Sequence, residues 1–182
     1  MADYRYIGQE KGTLDCGFFA AYTLKLMQDT GGDVNNLQMA QAEVYAARDA
    51  FCFPPAPSPG QPGDQWLDFN DAPLFLHDLG VTGYWVEFMH RACTAEDLLA
   101  RLVPHLKRPN SHGVMVAQIG SAQHWISLLG EGRATAENGY VPEIIVYDPA
   151  YREGERVQAK AREALAEDLA NNKVGALVVS AL

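Results

Sequence analysis

Near residue 113 the hydrophobic pattern of this chain changes period, and few architectures accommodate both halves. Before that point apolar residues recur at three- and four-residue steps, the spacing of helices; after it they come as short runs separated by turn-forming segments. The runs 113–119, 124–129 and 142–147 are expected to be strands of an antiparallel sheet. Helices first and sheet second is an α+β plan, with the helical half packed against the sheet. The 182 residues, 48% of them hydrophobic, suit one domain with a sizeable core, so 1–182 is read as a single unit.

Local signals divide the chain further. Phe18, Phe19, Tyr22 and Leu26 share a broad stripe of a helix beginning near Cys16, and Ala20 and Ala21 allow close packing. A Gly/Asn/Asp-rich loop at 30–36 precedes a second helix over 37–50, with Leu37, Ala40, Val44 and Ala47 on one face. The segment 52–63 holds too many prolines for a regular element and reads as an extended surface loop. A short helix at 71–79 stops at Gly80, and 81–88 is strand-like. Thr94 and Asp97 open another helix as a capping box; Leu99, Leu102 and Leu106 give its apolar face, His105 its exposed one, and Pro104 should kink or end it. The segment 131–139 has the composition of a loop insertion. The Ala/Glu/Lys-rich 156–170 suits an exposed helix, and 174–182 a final strand.

The net charge of −9 argues against nucleic acid and against anionic membrane surfaces as partners, and leaves peptide or protein substrates open. Three cysteines make no disulfide framework, and Cys16, Cys52 and Cys93 lack paired metal-ligand spacing, so neither metal nor cofactor is expected. No apolar run reaches the ~18 residues of a membrane span, and no signal peptide opens the chain. The expected location is the cytoplasm, or outside it by a signal-independent route. Oligomeric state leaves no trace in the pattern.

Asp15-Cys16-Gly17 carries the first chemical suggestion. Asp15 is a good N-cap, which puts Cys16 in the first helical turn, where backbone N–H groups and the helix dipole favour a thiolate. A nucleophilic thiol needs a base, and that base an orienting partner. His124 begins a strand, and Asp148-Pro149 ends the next one; adjacent antiparallel strands could bring the two side chains together. Taken singly, His124 reads better as a core or edge histidine and Asp148 as a turn residue; the combination in this chain order points to chemistry. Gln9 is a candidate side-chain donor to an oxyanion, beside the Cys16 N–H. Gly17 and Trp125 flank the nucleophile and base and are candidate substrate contacts. His77, His90 and His112 are weaker alternatives, and Cys52 and Cys93 lack a helix start.

Gln9, Asp15-Cys16-Gly17-Phe-Phe-Ala-Ala-Tyr, His124-Trp-Ile-Ser-Leu-Leu-Gly and Val146-Tyr-Asp148-Pro149 together resemble the papain-like cysteine peptidases. Within them the pattern is most similar to the bacteriocin-processing (double-glycine) peptidase domains and their stand-alone relatives. The resemblance implies a papain-like fold, with a helical half facing a sheet half across a cleft. It implies Cys16 as nucleophile, His124 as base and acid, Asp148 as orienter and Gln9 as oxyanion donor. It also implies cleavage of a peptide or amide bond through a thioester. Two alternatives keep the same residues: glutamine deamidation or acyl transfer, as in papain-like effectors and toxins, and an inactive papain-like binding module.

Overall fold

The computed structural model describes residues 13–32, 39–52, 66–68, 70–82, 84–88, 94–107, 113–118, 124–136, 139–150, 157–171 and 177–181. In chain order these form α1 (Cys16–Asp29), α2 (Gln41–Phe51), α3 (Ala72–Asp78), β1 (Tyr84–Phe88), α4 (Ala95–Leu106) and β2 (Val114–Gln118). There follow β3 (His124–Ala136), β4 (Gly139–Tyr147), β5 (Val157–Ala161), α5 (Arg162–Asn171) and β6 (Leu177–Ala181). The fold is α+β, with three helices preceding the sheet and most strands in the second half. Among the described residues no helix is long and apolar enough to cross a membrane.

The strands form one six-stranded sheet in the order β1-β6-β2-β3-β4-β5, every neighbouring pair antiparallel. From β2 to β5 it is a meander, in which each strand pairs with the next. β6 departs from that order by inserting between β1 and β2, so the last strand joins the sheet's two parts. Both faces of the sheet are covered. Met115, Trp125, Leu129 and Tyr147 join the core under α1, α2 and α3; Val114, Val116, Ile126, Leu128, Ile144 and Val146 join the core under α4 and α5. Burial on both faces explains why these strands read as unbroken apolar runs rather than alternating ones.

α1 is the central helix. It packs on β2 and β3 while α2 and α3 pack on it, so Cys16 to Leu24 and Met27 are all buried. A helix surrounded on most sides has no polar stripe. Phe18 meets Phe75 of α3 edge-on at 5.1 Å, and Phe19 meets Tyr45 of α2 at 5.6 Å. Ser127 Oγ donates to the carbonyl of Ala20 at 2.9 Å, tying β3 to the helix's middle.

Several local expectations are corrected. Segment 131–139 is no loop insertion: β3 runs to Ala136 and pairs with β4 from Gly139 onward, so the extra residues lengthen a hairpin. The helix expected over 156–170 is split, because 157–161 pairs with β4 and only 162–171 is helical; strand pairing overrides the helix-forming composition. Ala40 is exposed, and the buried face of α2 is Val44, Tyr45 and Arg48. α4 has the expected Thr94–Asp97 capping box but continues through Pro104 to Leu106, and His105 is buried. The proline-rich stretch lies almost wholly outside the described residues, as do Gln9, His90, Cys93 and His112.

Candidate active site

The start of α1, the start of β3 and the end of β4 meet at one end of the sheet. Antiparallel pairing accounts for two of the three: the last matched pair is Ser127 with Tyr147, and one further step sets Asp148 opposite Ile126, diagonal to His124. The side chains close the gap. His124 Nε2 lies 2.7 Å from Asp148 Oδ1, with 15% and 16% of the two side chains exposed. Asp148 is fixed in turn by its own loop, since Oδ1 also accepts the Ala150 N–H at 2.9 Å, an Asx-type turn across Pro149.

Cys16 approaches from the α1 side, and its sulfur acts on the same imidazole. Because Nε2 is committed to Asp148, Nδ1 is the ring nitrogen left for the sulfur. The Trp125 N–H donates to Cys16 Sγ at 3.4 Å, so β3 delivers both the ring and a main-chain donor to the sulfur. Cys16 is only 2% exposed. Burial alone would strip His124 of its proton, but the bonds to Asp148 and Cys16, together with their negative charge, win. The ring is pushed up from 6.5 to about 10. The pairing therefore favours the charged form of the ring.

Gly17 and Trp125, the expected substrate contacts, are both buried in packing. Trp125 is fully buried, and its Nε1–H donates to the Leu67 carbonyl at 2.8 Å. A Cβ on Gly17 would stand 2.6 Å from Leu67 Cβ and 2.9 Å from Trp125 Cδ1. Glycine is thus needed for segment 66–68 to cross against the first turn of α1. Trp66, half-buried, stacks obliquely on Trp125 with ring centroids 6.2 Å apart. His77 is exposed on α3. Cys52 ends α2 with its thiol pushed up, chiefly by burial. Gln9, the candidate oxyanion donor, lies outside the described residues.

Asp15 stands at the N-cap of α1 with Cys16 in the first turn, as expected, but it does not cap the helix with its side chain. Its carboxylate is fully buried and paired with Arg48, Nη1 to Oδ1 at 2.9 Å. Arg48 was legible in outline, since it falls one turn after Val44 on the apolar face of α2, where a charge requires a partner. Among the described residues no group of three or more His, Cys, Asp or Glu side chains is arranged to hold a metal ion. No protein-family model matches the chain, and no curated protein matches it significantly.

Proposed function

We propose that the chain is a papain-like cysteine hydrolase that cleaves a peptide or amide bond through a thioester. The observation that carries the reading is one imidazole held between Asp148, at 2.7 Å, and the thiol of Cys16. A nucleophile, a base and an orienting acid on three separate elements meet the geometric requirement for such chemistry. The buried start of α1 and the α+β plan agree with it.

In this reading Cys16 attacks as the thiolate, its charge balanced by the His124 imidazolium. The S–C bond forms, and the carbonyl oxygen becomes an oxyanion facing the Cys16 N–H at the helix start. The C–N bond breaks as His124 Nδ1 gives its proton to the leaving amine. His124, now neutral, takes a proton from water; the hydroxide adds to the thioester, and the C–S bond breaks to release the acid and restore the thiolate beside the imidazolium. Asp148 holds the ring's orientation and stabilises its charge throughout. Gln9 is proposed as the second oxyanion donor on the strength of the resemblance.

Incubation with a peptide library derived from denatured cellular protein, read by mass spectrometry, tests the proposal. Wild type should cleave chains, and Cys16→Ala should not. A gain of about one dalton at glutamine without cleavage would redirect the same chemistry to deamidation. Turnover that persists in Cys16→Ala would remove the cysteine mechanism.

A further inference from the structure

We propose that Arg48 is a positioning residue for Cys16: it holds the Asp15 carboxylate away from the start of α1, leaving the helix's positive end to the sulfur. The inference builds on the reading of Cys16 as a nucleophile.

Asp15 occupies the N-cap of α1, and aspartate is among the best residues at bonding the amides of a first helical turn. Here it makes no such side-chain bond; only its backbone carbonyl takes part, accepting the N–H groups of Phe18 and Phe19 at 3.0 and 3.3 Å. The carboxylate is turned toward α2, where Arg48 Nη1 holds Oδ1 at 2.9 Å with both side chains fully buried. Arg48 cannot follow Asp15 back to the helix. Its Nε and Nη2 both donate to Asp49 Oδ1, at 3.0 and 2.8 Å, and its guanidinium lies over the Tyr45 ring at 4.7 Å.

Two consequences reach the neighbouring sulfur. A carboxylate capping α1 would bring a full negative charge to the turn where Cys16 must become negative, and like charges oppose one another strongly in a buried setting. It would also occupy the amides whose dipoles favour a thiolate. Arg48 prevents both, by geometry and by cancelling charge. Among the described residues the other titratable or charged groups around this cluster are Tyr45 and Asp49 of α2, Cys52 just after it, Asp71 before α3, Glu43 bonded to Tyr22, and His124 and Asp148 from the sheet. At Cys52 the same charges already act on a thiol: Arg48 favours its ionisation, whereas Asp49, Asp71 and Asp15 oppose it.

The test is the rate of Cys16 alkylation by iodoacetamide on the full chain, read by peptide mass spectrometry from about pH 5 to pH 9.5, with the melting temperature measured alongside. In Arg48→Gln the rate at pH 7 should fall about tenfold and its pH profile should move upward by about one unit. In Asp15→Asn/Arg48→Gln the rate should return to within about threefold of wild type, and Asp15→Asn alone should react at least as fast as wild type. Should loss of the buried Asp15–Arg48 pair prevent Arg48→Gln from folding, the other two variants decide the matter. A purely structural Arg48 would lower the melting temperature and leave the rate profile in place. An unchanged profile in folded Arg48→Gln, a double variant as slow as the single one, or an Asp15→Asn slower than wild type would each overturn the proposal while leaving Cys16 as nucleophile. A wild-type Cys16 unreactive across the whole range would overturn both.

Discussion

Replacing Asp148 with asparagine separates charge from orientation at the candidate site. The variant keeps a side-chain oxygen able to accept the Nε2 proton of His124, but loses the negative charge 2.7 Å away. The rise of His124 from 6.5 to about 10 corresponds to on the order of 5 kcal/mol in favour of the charged ring, shared between Asp148 and Cys16 against the cost of burial. An opposite charge in direct contact accounts for about one to three pH units of such a rise. His124 in Asp148→Asn should therefore titrate about two units lower than in wild type. Following the ring's carbon-bound protons by NMR across the pH range measures this without any substrate. A group raised on folding stabilises most fully below its unfolded value. The benefit is thus complete below about pH 6.5 and is lost as pH climbs toward about 10. Wild type should accordingly exceed Asp148→Asn in stability by about 2–3 kcal/mol at pH 6, and the gap should close by pH 10. A wild-type ring that titrates near 6.5, or a variant ring unmoved from the wild-type value, would refute the reasoning.

Packing around the site gives three further expectations. Gly17→Ala forces a methyl against Leu67 Cβ and Trp125 Cδ1, and the strain should exceed the gain in helix propensity; urea unfolding should show a loss of about 1–3 kcal/mol. Trp125→Phe removes the buried bond to the Leu67 carbonyl and leaves unfilled space beside Trp66. A loss of about 2–4 kcal/mol is expected, with Cys16 more open to alkylation as segment 66–68 loosens. Ser127→Ala deletes one buried hydroxyl whose acceptor, the Ala20 carbonyl, lies within a helix; calorimetry should show only about 1 kcal/mol lost.

The sequence was most informative where local chemistry and global packing agree. The Thr94–Asp97 capping box, the stop at Gly80 (φ +79°) and the apolar runs of β2, β3 and β4 are written in neighbouring residues, and the structure follows them. The meeting of His124 with Asp148 was legible because a histidine opens one strand and an acid ends the next. What the sequence obscured depends on distant partners. Val157 to Ala161 carries helix-forming residues, yet the ladder with Glu143 to Tyr147 claims it as a strand. Glu131 to Ala136 looks like a loop but finds its match across the hairpin. Asp15 has the right identity for a cap, and only Arg48, thirty-three residues on, reveals where its carboxylate goes. Nothing beside Trp125 in the sequence announces that its indole N–H is spent on the Leu67 carbonyl.

The most direct measurement compares how fast Cys16, Cys52 and Cys93 are alkylated at pH 6.5, in wild type and in His124→Ala, each thiol followed by its own peptide. An imidazolium serving the Cys16 sulfur predicts that Cys16 outpaces the other two by about tenfold or more, and that the lead disappears with the ring. Three thiols reacting at one rate, or a Cys16 lead that survives His124→Ala, would contradict the pairing on which the proposed chemistry depends.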